Sequence, residues 1–167
     1  MATVSSSDKT ALMVVDVQAG VMQECANAAQ TIANVARTVE RARAAQVPVI
    51  WVQHESDELK RDSDAWQWVP ALVPAAGEAR VYKQFNSSFE QTNTDELLAQ
   101  AGVSHIVLAG AQSNWCIRAT AYGALERGYD LTLVKDAHTT SDLDLGNGTR
   151  IDAATIAGIA SAVAAHV

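Results

Sequence analysis

Five short apolar segments along the chain have the length and composition of buried strands. They lie at 11–17, 49–52, 80–83, 106–109 and 129–134. The segment at 80–83 is the most polar, and the other four are rich in valine, leucine or isoleucine. Apolar runs with little alternation predict strands that are covered on both faces of a sheet.

Between these segments, apolar residues recur at the three- to four-residue spacing of amphipathic helices. Helices are predicted at 27–46, 94–101 and 151–166, and a further helix begins near Ser113 and ends at Gly128. Strands that alternate with helices are typical of a parallel sheet with helices on both faces. The predicted fold is therefore α/β, a three-layer α/β/α architecture with a mostly parallel, doubly wound sheet of five or six strands.

Two segments, 56–77 and 142–149, lack a regular pattern. The first contains Trp66 and Trp68, and because tryptophan side chains seek burial we expect a structured excursion over a pocket. The second is polar and contains glycine, as loops do. We expect substrate specificity to lie in these irregular parts of the chain, at 54–78 and 138–150.

Length and composition indicate one domain, residues 1–167. The chain has 12 basic and 19 acidic residues and a net charge of −7, which argues against nucleic acid or an anionic membrane as a partner. No apolar run approaches the roughly 20 residues of a membrane span, and the N-terminus lacks a signal-peptide pattern. The two cysteines form neither a metal-binding spacing nor a disulfide framework, so the expected location is the cytoplasm.

Three chemically reactive side chains, Asp16, Lys83 and Cys116, follow or end predicted strands. In a doubly wound sheet the carboxyl ends of the strands share one edge, where ligand sites form. Cys116 stands in the first turn of a predicted helix, and unpaired N–H groups at that position favour an anion. The thiol is therefore expected to ionise more easily than a free thiol, although a cysteine that merely packs is the alternative.

These three groups would together transfer an acyl group to water. Cys116 would be the nucleophile, Lys83 would favour its thiolate, and Asp16 would take and return protons. The backbone N–H groups of Gln112 and Cys116 would form an oxyanion hole. The first strand is not followed by GxGxxG and the chain has no GxxxxGK[ST], so dinucleotide binding is not supported and a P-loop is excluded.

Spacing alone does not select these three residues, but a family resemblance does. The resemblance lies in LMVVDVQ with Asp16, VYKQFNSSF with Lys83, and VLAGAQSNWCIRATAYGALERGYDLTLVKDAHTT with Cys116. These stretches cover most of 11–140 and resemble the isochorismatase-like cysteine hydrolases, the superfamily that includes nicotinamidase and N-carbamoylsarcosine amidase. The order Asp–Lys–Cys matches the catalytic triad of that family. The resemblance also implies a non-proline cis peptide bond between Ala111 and Gln112.

The sequence departs from the family pattern in two places. Nicotinamidases carry a metal site of the form Asp-x-His-x-x-His after the second strand, whereas this chain reads HESDEL from His54. We therefore expect no metal ion and no nicotinamidase activity, with His54 as a pocket wall or hydrogen-bond donor. Family members usually add a sixth strand after the last helix, and no clear one is present here. True isochorismatases lack the nucleophilic cysteine, so Cys116 argues against vinyl-ether hydrolysis.

A few further side chains are candidates for the substrate pocket. Trp115 and Phe85 neighbour the predicted catalytic residues, and Trp66 would line either the pocket or the core or a dimer interface. Asp136 and His138 resemble an acid–base pair, but their position after the fifth strand favours structural hydrogen bonds.

The sequence thus predicts a metal-independent cysteine hydrolase that cleaves a C–N bond of a small amide or carbamoyl-type substrate through a thioester. The alternative is a non-catalytic small-molecule-binding or scaffolding protein with the same fold. A thiol redox protein is disfavoured because the chain has no Cys-x-x-Cys motif. No cofactor is expected, and by resemblance to the family we expect a homodimer or a larger homo-oligomer.

Overall fold

A five-stranded, all-parallel sheet forms the centre of the computed structural model, which describes residues 2–4 and 8–164. The strands are β1 (Lys9–Val15), β2 (Val49–His54), β3 (Ala79–Lys83), β4 (Val103–Ala111) and β5 (Asp130–Thr139). Their order across the sheet is β3-β2-β1-β4-β5, so the direction of winding reverses between β1 and β4. The predicted doubly wound parallel sheet is confirmed, with five strands in the described residues.

In the described part of the chain, five α-helices and one π-helical turn surround this sheet. They are α1 (Ala19–Glu24), α2 (Ala28–Ala44), α3 (Thr94–Ala101), the π-helical turn at Ser113–Ile117, α4 (Arg118–Glu126) and α5 (Ala153–Ala164). Among the described residues, none of these helices combines the length and the apolar composition that crossing a bilayer requires. The bounds of α3 are those predicted from the sequence.

Three local features differ from the predictions. The segment after β1 forms α1, which periodicity did not reveal because it has only six residues and no side-chain cap. The predicted loop at 142–149 carries a short antiparallel hairpin of β6 (Leu143–Asp144) and β7 (Arg150–Ile151). The predicted helix at 151–166 begins at Ala153, and residues 165–166 lie outside the described part of the chain.

The middle strand β1 is buried on both faces. Leu12 and Val14 belong to the apolar cluster that β1 forms with α2, whereas Met13 and Val15 belong to the opposite cluster with α3 and α4. All four side chains are at most 1% exposed. This double burial explains why the strand reads as a continuous apolar run, and it fixes the strand whose carboxyl end leads into Asp16.

Gly110 lies where β4 comes closest to β1. Its φ is +130°, and a Cβ atom at this position would lie 2.0 Å from the carbonyl oxygen of Val15. No L side chain fits this contact, so the position requires glycine. The close approach brings the carboxyl ends of β1 and β4 side by side.

We expect Gly110→Ala to lower the free energy of unfolding by about 2–5 kcal/mol, because a left-handed conformation and an overpacked contact are both unfavourable for alanine. Urea unfolding curves measure the change. The control is Gly158→Ala in α5, where a Cβ would have no atom within 4 Å, and helix propensity there predicts a gain of up to about 1 kcal/mol. Equal unfolding midpoints for the two variants would contradict the assignment.

Candidate active site

Three strand ends bring the predicted reactive side chains together at one edge of the sheet. Asp16 follows β1, Lys83 is the last residue of β3, and Cys116 lies in the π-helical turn after β4. Lys83 Nζ is 2.7 Å from Asp16 Oδ2 and 3.1 Å from Cys116 Sγ. The Lys83 ammonium therefore bridges the carboxylate and the sulfur, as expected from the topology of a doubly wound sheet.

Backbone contacts hold these side chains in place. Asp16 has a left-handed backbone conformation (φ 54°), and its N–H donates to the carbonyl oxygen of Val52 in β2. The segment after Lys83 is tied to α4 by Ser88, whose backbone N–H and hydroxyl both contact the hydroxyl of Thr120. The segments that follow Lys83 and Cys116 in the chain are thus linked by a buried polar contact.

The turn that carries Cys116 is π-helical and not the α-helical turn that the sequence predicted. The N–H of Ile117 donates to the carbonyl oxygen of Gln112, five residues earlier, which makes this a π-helical turn. The peptide bond between Ala111 and Gln112 is cis, as the family resemblance implied. Gln112 and Cys116 both line the cavity described below, and their role as an oxyanion hole stays a prediction.

The Lys83 ammonium has four acceptors within reach of its three N–H groups. Besides Asp16 and Cys116, these are His54 Nδ1 and the carbonyl oxygen of Phe85, each at 3.2 Å. Because lysine only donates, we assign Nδ1 as an acceptor and place the proton of the neutral His54 imidazole on Nε2. Burial and the Lys83 charge hold the pKa of His54 below its ordinary value, which favours this neutral form.

The pKa shifts of Lys83 and Cys116 indicate which groups at the site are charged. Burial lowers the pKa of Lys83, but Asp16 and Cys116 outweigh this effect, so the net pKa is raised. Burial raises the pKa of the Cys116 thiol to about 12; Asp16 adds to this increase and Lys83 opposes it. The site thus holds an ammonium–carboxylate pair beside a protonated thiol. The expectation of an easily ionised thiol is wrong, because desolvation and the Asp16 charge outweigh Lys83.

Iodoacetamide alkylation followed by peptide mass spectrometry tests these charges. Because the pKa of Cys116 is raised, its alkylation rate should still increase at pH 10, well above the midpoint of about 8.5 for a free thiol. Asp16→Asn removes a charge that raises this pKa, so the same rise should shift to lower pH. A wild-type plateau at or below pH 8.5 would contradict the assigned charges. The Cys25 peptide is an internal control, since burial raises the pKa of that thiol to about 11.

A cavity of about 490 Å³ opens above the three side chains. Asp16 and Cys116 lie on its wall, together with the predicted pocket residues His54 and Trp115. Its size is within the range of small-molecule sites. The remaining wall residues come mainly from α1, from the segment after β2, and from the end of β4: Gly20, Val21, Gln23, Glu24, Ser56, Glu58, Leu59, Ala65, Ala111 and Gln112.

Known proteins with similar sequences place the chain in a family. The family profile described as the isochorismatase domain matches residues 10–163. The chain belongs to the isochorismatase family. Its sequence is 33% identical over 144 residues to a streptothricin hydrolase of Streptomyces noursei, covering 83% of this chain and 57% of that protein.

Solved structures of the isochorismatase family share the fold. An isochorismatase from Pseudomonas putida KT2440 superposes with a TM-score of 0.88 at 30% identity, covering 93% of this chain and 83% of that one. The N-carbamoylsarcosine amidase of Thermoplasma acidophilum gives 0.73 at 28% identity, covering 82% and 87%. These similarities confirm the family and fold predicted from the three sequence stretches.

The donor set of this family member does not fit a metal ion. Asp16, His54 and Cys116 each place a potential ligand atom within 4.8 Å of the other two. The Lys83 ammonium contacts all three of these residues at 2.7, 3.2 and 3.1 Å, so it occupies the position that a divalent cation would need. The predicted absence of a metal ion stays a prediction, and the Lys83 position supports it.

Two predicted pocket residues lie outside the cavity wall. Trp66 is 7% exposed and packs its ring against Tyr82, with 5.8 Å between the ring centroids. Phe85 contributes its carbonyl oxygen to Lys83 rather than its ring to the cavity. A tryptophan can satisfy its need for burial in the protein interior as well as in a pocket, so the sequence did not distinguish these sites.

Gln18 is a positioning residue that the sequence analysis did not identify. Its side chain is fully buried; Nε2 donates to the carbonyl oxygens of His54 and Trp66, each at 3.0 Å, and Oε1 accepts from the His54 N–H at 2.8 Å. The contacts join the end of β2 to the excursion at 56–77. The only sequence signal is a polar amide that follows an apolar strand in LMVVDVQ.

His138 has the structural role that the sequence predicted. Its Nδ1 contacts the hydroxyl of Ser113 at 2.8 Å, and its Nε2 contacts the hydroxyl of Ser161 at 2.9 Å. The ring therefore connects the π-helical turn to α5. Both ring nitrogens of His138 are thus occupied by serine hydroxyls, and Asp136 accepts a hydrogen bond from Asn34 through its backbone carbonyl.

Proposed function

We propose that this chain is a metal-independent cysteine hydrolase that cleaves a C–N bond of a small amide or carbamoyl-type substrate. The observation that carries the proposal is the position of the Lys83 ammonium between Asp16 Oδ2 and Cys116 Sγ beside a cavity of small-molecule size. The relatives named streptothricin hydrolase and N-carbamoylsarcosine amidase support hydrolysis of this general kind.

Acylation begins with the protonated thiol. As the substrate carbonyl carbon approaches Cys116 Sγ, the thiol proton moves to the Asp16 carboxylate and a C–S bond forms. The Lys83 ammonium stabilises the sulfur as it becomes anionic. The negative charge on the carbonyl oxygen is met by the backbone N–H groups of Gln112 and Cys116. Asp16 then gives the proton to the leaving nitrogen, and the C–N bond breaks to leave a thioester.

Deacylation uses the same groups, with water as the nucleophile and the Cys116 sulfur as the leaving group. A water molecule attacks the thioester carbon while Asp16 accepts one of its protons. The C–S bond breaks, the acid leaves, and the proton on Asp16 returns to the Cys116 sulfur. His54, neutral and with Nε2–H as its only donor, lies on the cavity wall and is suited to hold a substrate oxygen rather than to exchange protons.

The decisive experiment measures ammonia release from a panel of small primary amides and carbamoyl compounds, with acid-quenched samples analysed for an acyl adduct on the Cys116 peptide. We expect both ammonia and the adduct. Ligands that raise the melting temperature without any ammonia release would instead support the non-catalytic binding protein. Reversible oxidation of Cys116 by mild peroxide, without amide turnover, would support a redox role.

We further propose a small-molecule substrate, a cytoplasmic location and a homodimer or larger assembly, with no nucleic-acid or membrane partner. An apolar groove between α4 and α5 supports the assembly, because Tyr122, Ile159 and Val163 are about half exposed beside it. Size-exclusion chromatography with light scattering tests this, and a monomer at micromolar concentration would contradict it.

A further inference from the structure

The charged side chains around the cavity carry one sign. Glu24 at the end of α1 and Glu58 after β2 lie on its wall, in addition to Asp16. Among the described residues that line the cavity, none is lysine or arginine. Lys83 lies next to the wall, but Asp16 already balances its charge. The mouth of the cavity therefore has two carboxylates that no cation on the same wall balances.

The cations that follow Glu58 in the chain lie off the cavity wall. Lys60 and Arg61 follow Glu58 in the chain, yet neither lines the cavity. Arg61 donates to Glu55 at 2.5 Å, and its guanidinium lies 4.3 Å from the centre of the Tyr82 ring. An ion pair and an aromatic ring thus hold this cation away from the opening.

Two further groups on the wall suit a ligand that brings a positive charge or an N–H donor. Trp115 is 47% exposed, and the face of an exposed indole attracts ammonium and guanidinium groups. Asp16 is 1% exposed, and its Oδ1 is buried without a hydrogen-bond partner among residues 2–4 and 8–164. A buried carboxylate oxygen without a donor is unfavourable by itself, so it indicates a place where a ligand donor or a transferred proton is received.

An anionic ligand would meet the opposite conditions. It would enter past Glu24 and Glu58 and would find no guanidinium or free ammonium on the wall to replace its hydration. A neutral ligand would gain nothing from these charges. The wall therefore discriminates among ligands by charge, in addition to any discrimination by shape.

We infer that the site selects amides that carry a positive charge, an ammonium or guanidinium group, at the end away from the scissile bond. The charged end lies at the mouth, between Glu24, Glu58 and the Trp115 ring, while the amide carbonyl reaches Cys116. That the ligand is an amide rests on the proposed function, but the charge preference of the cavity is independent of turnover.

Charged methanethiosulfonates measure this preference without any hydrolysis. In each reaction the Cys116 thiolate displaces methanesulfinate, so one S–S bond forms, one S–S bond breaks, and the thiol proton goes to buffer. The rate of Cys116 modification is measured at pH 8 with a trimethylammonium-ethyl reagent, which is cationic, and with a sulfonato-ethyl reagent, which is anionic. The ratio of the two rates is then divided by the ratio that the same reagents give with the free thiol of 2-mercaptoethanol. Peptide mass spectrometry separates Cys116 from Cys25.

We expect a normalised ratio of about tenfold or more in the wild type, since focused fields of this kind raise local counter-ion concentrations by such factors. Glu24→Gln/Glu58→Gln should reduce the ratio at least threefold. The control Glu40→Gln/Glu126→Gln removes the same net charge at exposed positions outside the cavity wall and should leave the ratio unchanged. A wild-type ratio near one, or equal ratios in the two double variants, would overturn the inference.

Matched amides then connect the preference to turnover. 3-Aminopropanamide, butanamide and succinamate share a chain length and differ in charge, and kcat/KM should fall in that order in the wild type. Turnover of succinamate as fast as of 3-aminopropanamide would overturn the inference while leaving the hydrolase proposal intact. Failure of all three amides, together with the expected reagent ratio, would contradict the proposed hydrolysis and leave a cation-selective cavity.

Discussion

Cys116→Ala should abolish ammonia release while the protein stays folded. If Cys116 carries the acyl group, its loss removes the only covalent route, and we expect kcat/KM to fall by at least about 10⁴-fold. Stability should change by no more than about 1 kcal/mol, because a single sulfur atom at the cavity wall is removed. Ammonia release and urea unfolding on the same preparations measure the two effects.

Two controls make this result specific. Cys116→Ser keeps the shape of the side chain but replaces the thiol by a far less acidic hydroxyl, so it should also lose turnover while retaining ligand-induced thermal stabilisation. Cys25→Ser changes the other thiol, which donates to the carbonyl oxygen of Val21 and does not line the cavity, and it should keep full activity. More than a tenth of wild-type activity in Cys116→Ala would exclude the thioester mechanism.

The sheet could be predicted from the sequence because most of its strands are buried on both faces. Strands β1 and β2 and the apolar part of β4 read as apolar runs, and their alternation with helical periodicity leaves few topologies. The prediction was poorest at β5, which was placed at 129–134 and extends to Thr139. Lys135 and Asp136 are exposed on this edge strand, so its second half has no apolar pattern.

The three reactive side chains could be proposed only because strand ends share an edge and because the surrounding stretches resemble a known family. The charge state of Cys116 could not be predicted, since its burial and its distance to Asp16 depend on the tertiary structure. Gln18 and the cavity-wall residues Glu24 and Glu58 escaped prediction for a related reason. They lie in or beside short, irregular segments, where no periodicity indicates which side chains point inward.

The ion pair between Asp16 and Lys83 should show the second large effect. The two side chains are 2% and 0% exposed, so a variant that removes one partner leaves the other charge buried without compensation. Asp16→Asn and Lys83→Met are each expected to lower the free energy of unfolding by about 3–5 kcal/mol. By comparison, Asp95→Asn breaks an exposed ion pair with Arg127 and should cost no more than about 1 kcal/mol.

The double variant Asp16→Asn/Lys83→Met distinguishes a catalytic from a structural pair. Because it leaves no uncompensated charge, we expect it to be at least about 2 kcal/mol more stable than the sum of the single changes predicts. Its activity should nevertheless stay as low as that of Asp16→Asn, since no group remains to take the thiol proton. A double variant that regains stability but not turnover would mean that the pair is retained for proton transfer and not for folding. Turnover in the double variant within tenfold of the wild type would remove Asp16 from the mechanism, and strictly additive losses of stability would contradict the buried ion pair.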